Sequence, residues 1–231
     1  MLQYSIKNEG DTMDKHLFLF GGGPPFTLNM TKQFVIKAST TNAPVSILFI
    51  ERDGWEQYMP KYTQALEELG LNEFYYLPLP STPIEKVITC LKNSSGLIIG
   101  GGNTNLYADY IVETAISYTI KEIYELGNPI AGFSAGALIS PEHCIISPKD
   151  NEQNEFQYRR GLGLISDVLI AVHFSQWNDE THLRNAVNKF NNQINYGIDE
   201  NTCVYLLNGY LESIEGCGVY SVENDIIRKI N

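Results

Sequence analysis

The sequence holds little that would brace a chain from outside its own core. It has only four cysteines (Cys90, Cys144, Cys203, Cys217), and none is spaced as a Cys-x-x-Cys pair. A chain of 231 residues needs no disulfide scaffold, so they read as reduced thiols of a cytoplasmic protein. No apolar run approaches the roughly 18 residues that span a bilayer. The opening MLQYSIKNEGDTMDKH has no basic stretch followed by an apolar one, so no secretory signal is expected. Basic residues are scarce: 16 Lys plus Arg stand against 27 Asp plus Glu, a net charge of −11. Such a field disfavours non-specific binding to nucleic acid or to an anionic membrane. It also means that an acidic substrate must be met by locally placed cations. With no His-Glu-x-x-His and no cysteine cluster, neither a metal nor a cofactor is expected. Linkers, repeats and low-complexity stretches are missing too. Residues 1–15 read as a loose lead-in and 16–231 as a single domain.

What is present is an ordinary globular balance, 43% apolar and 19% charged. Short apolar runs stopped by glycine or polar residues recur at 17–20, 45–50, 74–77, 97–99, 130–131 and 168–172. Runs of this length are the mark of buried parallel strands. Helical spacing lies between them: Tyr58–Leu69 ending at Gly70, a start at Thr82-Pro83-Ile84, Tyr107–Leu126 ending at Gly127, and Asn178–Phe190. The alternation predicts an α/β fold, a mainly parallel sheet with helices on both faces. After about residue 195 short strands follow one another through Asn-Gly, Glu-Gly and Glu-Asn turns. They predict a short antiparallel extension of the same sheet at the C-terminus.

The sharpest chemical signal is Gly132-Phe133-Ser134-Ala135-Gly136, set between a strand and a helix. That is the pattern of a nucleophile elbow. The serine sits on a tight turn that only small flanking residues allow, and the next amides face a developing oxyanion. A serine needs a base. Of four histidines, His173 directly follows the run 168–172, at the carboxyl end of a strand, where parallel sheets build their sites. An orienting carboxylate has two candidates: Asp150 in the polar loop 147–151, and Glu200 at the end of 196–200. A second oxyanion amide is expected from Gly100-Gly101-Gly102-Asn103-Thr104, which follows a strand and opens a helix. This turn lacks both GxxxxGK[ST] and GxGxxG spacing, so a phosphate loop is disfavoured. A similar turn, Gly21-Gly22-Gly23, reads as mainly structural.

Taken together, Ile99-Gly100-Gly101-Gly102-Asn103-Thr104-Asn105-Leu106, Gly132-Phe133-Ser134-Ala135-Gly136-Ala137 and His173-Phe174-Ser175 resemble the dipeptidase E and cyanophycinase group of serine peptidases, family S51. Gly197-Ile198-Asp199-Glu200 is similar to the cyanophycinase branch. The resemblance covers about residues 17–215. It implies a three-layer, flavodoxin-like fold akin to class I glutamine amidotransferase domains, and hydrolysis of small peptides at an aspartyl or β-aspartyl residue. It implies Ser134 as nucleophile, His173 as base, and amides of Gly101 or Gly102 and of Ala135 as the oxyanion site. For the acid the branches diverge, one pointing near Asp150 and the other to Glu200. The chain departs from the cyanophycinase pattern at Trp177, where that pattern has an arginine. Asn103 and Arg184, with Arg159 and Arg160, remain as candidate substrate contacts, the arginines because a guanidinium presents a planar fork to a carboxylate.

Two other readings share the elbow: an esterase of the α/β-hydrolase type, and a sensor or binding module that kept the fold without turnover. Against the first stand the short chain, the missing HGGG and the close spacing of Ser134 and His173. A glutamine amidotransferase would need cysteine at position 134. Surface helices leave room for a homodimer.

Overall fold

The computed structural model describes residues 13–191 and 194–231; of the lead-in expected over 1–15, residues 1–12 lie outside them. Five parallel strands form the centre: β1 (His16–Phe20), β2 (Val45–Ile50), β3 (Phe74–Leu79), β4 (Gly96–Ile99) and β5 (Ile130–Phe133). From one edge they run β3-β2-β4-β5-β1. This is the spatial order of a flavodoxin-like sheet, with the N-terminal strand in the last place. The sheet then continues through antiparallel strands β10 (Cys203–Leu207) and β11 (Tyr210–Glu215).

Alternation along β1 shows why the sheet is covered on both faces. Phe18 and Phe20 point into a core shared with helices α1 (Leu28–Ala38), α2 (Trp55–Tyr58) and α3 (Pro60–Glu67). Leu17 and Leu19 point into the opposite core, shared with α4 (Ile84–Lys92) and α6 (Ile116–Glu125). Successive side chains of a strand point to opposite faces, so a continuous apolar run is what a doubly covered strand requires.

Two expectations are corrected. The run at β8 (Val168–Val172) does not join the central sheet. It pairs in parallel with β9 (Ile194–Ile198) in a second sheet of order β13-β12-β9-β8, whose β12 is Val219–Glu223 and β13 Ile226–Lys229. Both faces of β8 are buried in this second sheet too, so its apolar run fits either sheet, and pairing with β9 decides between them. The C-terminal strands therefore divide, β10–β11 extending the central sheet and β12–β13 the second one. Val168, Ile170 and Val172 still reach the central core, while Leu169 and Ala171 pack under α9 (Glu180–Phe190).

The single helix expected over 107–126 is interrupted as well. A four-residue helix, α5 (Thr104–Tyr107), passes into one π turn (Ala108–Val112) before α6 begins. Thr114 makes the break: its hydroxyl bonds the Tyr110 and Ile111 carbonyls and accepts the amide of Ile116. A further hairpin, β6 (His143–Ile146) with β7 (Gln157–Arg160), follows the elbow. Among the described residues no helix is long and apolar enough to cross a membrane.

Within α9 the His182 ring is buried beside Phe156, ring centroids 5.2 Å apart, and its Nδ1 meets no partner among the described residues. Burial holds its pKa down to about 4. Below pH 6.5 the unfolded chain therefore takes up a proton that the folded one refuses, and stability falls as pH drops towards 4. Between pH 7 and 5 this costs about 2 kcal/mol. In urea unfolding at those two pH values His182→Leu should lose less stability than the wild type; equal losses would show that His182 is not held neutral.

Candidate active site

The elbow closes first. Ser134 adopts φ 47°, ψ −106°, between β5 and the short helix α7 (Ala135–Leu138). Positive φ is unfavourable for serine, costing on the order of 1–3 kcal/mol, and persists only where the surroundings enforce it. The Ser134 amide donates to Phe20 O at 3.0 Å, and the Gly136 amide to Gly100 O at 3.2 Å. Glycines make the approach possible: a Cβ on residue 132 would come 2.5 Å from Gly136 O.

His173 leaves β8 in the left-handed region, φ 48°, its amide donating to Gly21 O at 2.7 Å. Its Nε2 lies 2.9 Å from Ser134 Oγ and its Nδ1 2.7 Å from Glu200 Oε1. With the Nδ1 proton donated to Glu200, Nε2 is free to accept the serine proton. The Trp177 ring stacks on the imidazole, centroids 4.4 Å apart at 23°. Glu200 sits where the chain crosses from β9 to β10, its amide held by Gln176 Oε1 at 3.0 Å. The neighbouring acid, Asp199, is buried and accepts from the Ser175 amide at 2.9 Å.

Asp150 is elsewhere. Its Oδ2 takes the hydroxyl proton of buried Thr104 at 2.5 Å, which ties the loop after β6 to the start of α5. Burial pushes its carboxyl above the ordinary range, against the lowering effect of the Thr104 bond and of nearby His173. Asp179, also buried, is pushed up by burial in the same way and accepts from Ser147 Oγ at 2.9 Å.

The glycine turn after β4 is locked from two sides. The Gly101 amide donates to the Tyr62 hydroxyl at 3.1 Å, and the Gly101 carbonyl accepts from Tyr107 at 3.1 Å. Tyr107 in turn accepts the Ile50 amide at 3.3 Å. Gly101 packs on the serine so closely that a Cβ there would lie 3.3 Å from Ser134 Cβ. Its own amide is thus committed, leaving those of Gly102 and Ala135 as donors with no acceptor among the described residues. The Asn103 side chain caps α5 through the Leu106 amide at 3.2 Å.

The arginines expected near substrate are engaged at other places. Arg159 bonds Asp109 at 2.6 Å, together with Glu113 and the Asn105 carbonyl. Arg160 is exposed on β7. Arg184 pairs with Glu180 and with Asp225, in the β12–β13 turn. Because β12 pairs antiparallel to β9 with Val219 opposite Ile198, that turn lies at the far end of the sheet from Glu200. Reading the sequence overlooked Tyr62, Tyr107 and Gln176; only Gln176 carries a local signal, as part of His-Phe-Ser-Gln.

Comparison with known proteins gives the family and the fold. The family model for peptidase family S51 matches residues 18–214. A cyanophycinase from Synechococcus elongatus is 29% identical over 123 residues, 52% of this chain and 38% of that protein. One from Trichormus variabilis is 28% identical over 160 residues, 66% of this chain and 54% of that protein. The matches thus span about half or less of these relatives' length. Among solved structures, a peptidase from an acI-B1 actinobacterium superposes with a TM-score of 0.74 at 20% identity, covering 95% of both chains. A putative peptidase E protein from Listeria monocytogenes gives 0.59 at 18%, covering 94% of this chain and 100% of that one; both share the fold. The elbow, the histidine at a strand's carboxyl end and the glycine turns all fall within the matched residues, and the chain belongs to peptidase family S51.

Proposed function

We propose that this chain is a serine-type hydrolase of small peptides that cleaves after an aspartyl or β-aspartyl residue, with Ser134, His173 and Glu200 as its triad. The observation that carries the reading is the unbroken relay of 2.9 and 2.7 Å from serine through imidazole to carboxylate. Glu200, not Asp150, takes the role of the acid because it alone accepts the His173 Nδ1 proton.

Ser134 Oγ attacks the scissile carbonyl carbon while His173 Nε2 takes its proton. The amides of Gly102 and Ala135 hold the oxyanion. As the carbon–nitrogen bond breaks, His173 returns the proton to the departing amine. Water then attacks the acyl-enzyme carbonyl, giving a proton to His173, which returns it to Ser134 Oγ as the ester bond breaks, leaving the acid product and free serine. Glu200 stays ionised throughout and steadies the imidazolium. Stacking on Trp177 limits ring rotation, so the base keeps its alignment between the two oxygens. We place the reaction in the cytoplasm, in keeping with four unpaired thiols.

Incubation with Asp-X, β-Asp-X, Glu-X and X-Asp dipeptides and simple esters, read by mass, should show loss of the Asp-X or β-Asp-X members alone. Ser134→Ala should fold and lose at least about a thousandfold in turnover. Wild-type turnover in that variant would refute the assignment, and cleavage of esters alone would replace the peptidase with an esterase. The acid is tested separately. Glu200→Gln should cost about 10³–10⁴ in kcat, whereas Asp150→Asn should cost less than about tenfold; the reverse order would transfer the role to Asp150.

A further inference from the structure

An acidic peptide meets a difficulty at this site. Glu200, Asp199 and Asp179 lie on the second-sheet side of Ser134, and the net charge of the chain is −11. A substrate carboxylate needs a free cation: Lys149, on the histidine side, bonds the Trp177 carbonyl, and Arg159 and Arg184 are already paired with acids elsewhere.

The opposite flank holds Arg52. It follows β2 at the same carboxyl edge as the two glycine turns, is exposed, and has no carboxylate partner among the described residues. Its Cζ lies over the Tyr58 ring, 4.3 Å from the centroid, with Lys61 Nζ 4.6 Å from the same centroid. Tyr58 is tied into the site on two sides. Its ring meets Tyr62 edge-on, centroids 5.9 Å apart, and Tyr62 holds the Gly101 amide beside Ser134. Its hydroxyl abuts Gly23, where a Cβ would lie 3.3 Å away, two residues from the carbonyl that holds His173. The Arg52 charge is felt at both hydroxyls that lock Gly101, those of Tyr62 and Tyr107. A guanidinium lying over an aromatic face keeps its in-plane N–H groups free, and these form the fork that fits a carboxylate.

We propose that Arg52, seated on Tyr58 and supported by Lys61, is the specificity-determining cation of this site and binds the carboxylate of the acidic peptide whose carbonyl faces Ser134. The proposal rests on the hydrolase reading above.

Two serine-directed aryl phosphonates separate the two claims, one bearing a side-chain carboxylate and the other the matching carboxamide. Their rates of covalent attachment to Ser134 are followed by mass in the wild type, Arg52→Gln and Arg52→Lys. Exposed Arg52 makes few packing contacts, so its replacement leaves the fold in place. The wild type should prefer the carboxylate probe. Arg52→Gln should lower the carboxylate-to-carboxamide rate ratio about tenfold, and Arg52→Lys should fall between. A ratio unchanged in Arg52→Gln, or no carboxylate preference in the wild type, overturns the role of Arg52 and leaves the hydrolase reading standing. Failure of both probes to label Ser134 in the wild type overturns both.

Discussion

Everything in this site depends on holding one serine backbone at φ 47°, ψ −106°. Nothing local favours that conformation; the neighbouring strands impose it. β5 lies between β1 and β4, and the two bonds that bracket the serine run to Phe20 O at the end of one and Gly100 O just past the other. The strand order β1-β5-β4 therefore constrains the Ser134 turn as much as the architecture. It brings both glycine turns alongside Ser134, one holding the His173 amide through Gly21 O and one packing Gly101 against the serine. His173, also left-handed, is held the same way, by Gly21 O.

The second sheet supplies what the first cannot. β8 and β9 pair in a sheet of their own against the central core. His173 ends β8, and Glu200 lies where the chain leaves β9 to re-enter the central sheet as β10. His173 and Glu200 thus come from the seam between the sheets, while Ser134 comes from the centre of the larger one. The His173 side also holds the buried acids Asp199 and Asp179. On the other side of Ser134 lie the exposed cations Arg52 and Lys61, over the Tyr58 ring.

Much of this was legible in the residues. Apolar runs stopped by polar residues place β2 and β8 to the residue, and the small residues around Ser134 announce a turn that few other functions require. What stayed hidden was set by tertiary pairing. A run such as Val168–Val172 looks the same in either sheet, because both its faces are buried in both cases. Asp150 and Glu200 both follow polar or strand-end segments, and only the β9–β10 crossing decides which one reaches the imidazole. Tyr62 and Tyr107 read as apolar positions on helices; their hydroxyls matter only because the Gly101 peptide lies between them. The break at Thr114 hides inside a helical pattern because a threonine that bonds its own preceding carbonyls leaves the apolar spacing untouched.

The central claim is that a strained serine faces two uncommitted amides, and the crystal structure of a phosphonate adduct tests it most directly. The account predicts phosphorus bonded to Ser134 Oγ, with the phosphoryl oxygen within hydrogen-bond distance of the Gly102 and Ala135 amides and Gly101 still held by Tyr62. A phosphoryl oxygen turned to solvent, or one taken by the Gly101 amide after release from Tyr62, would contradict it.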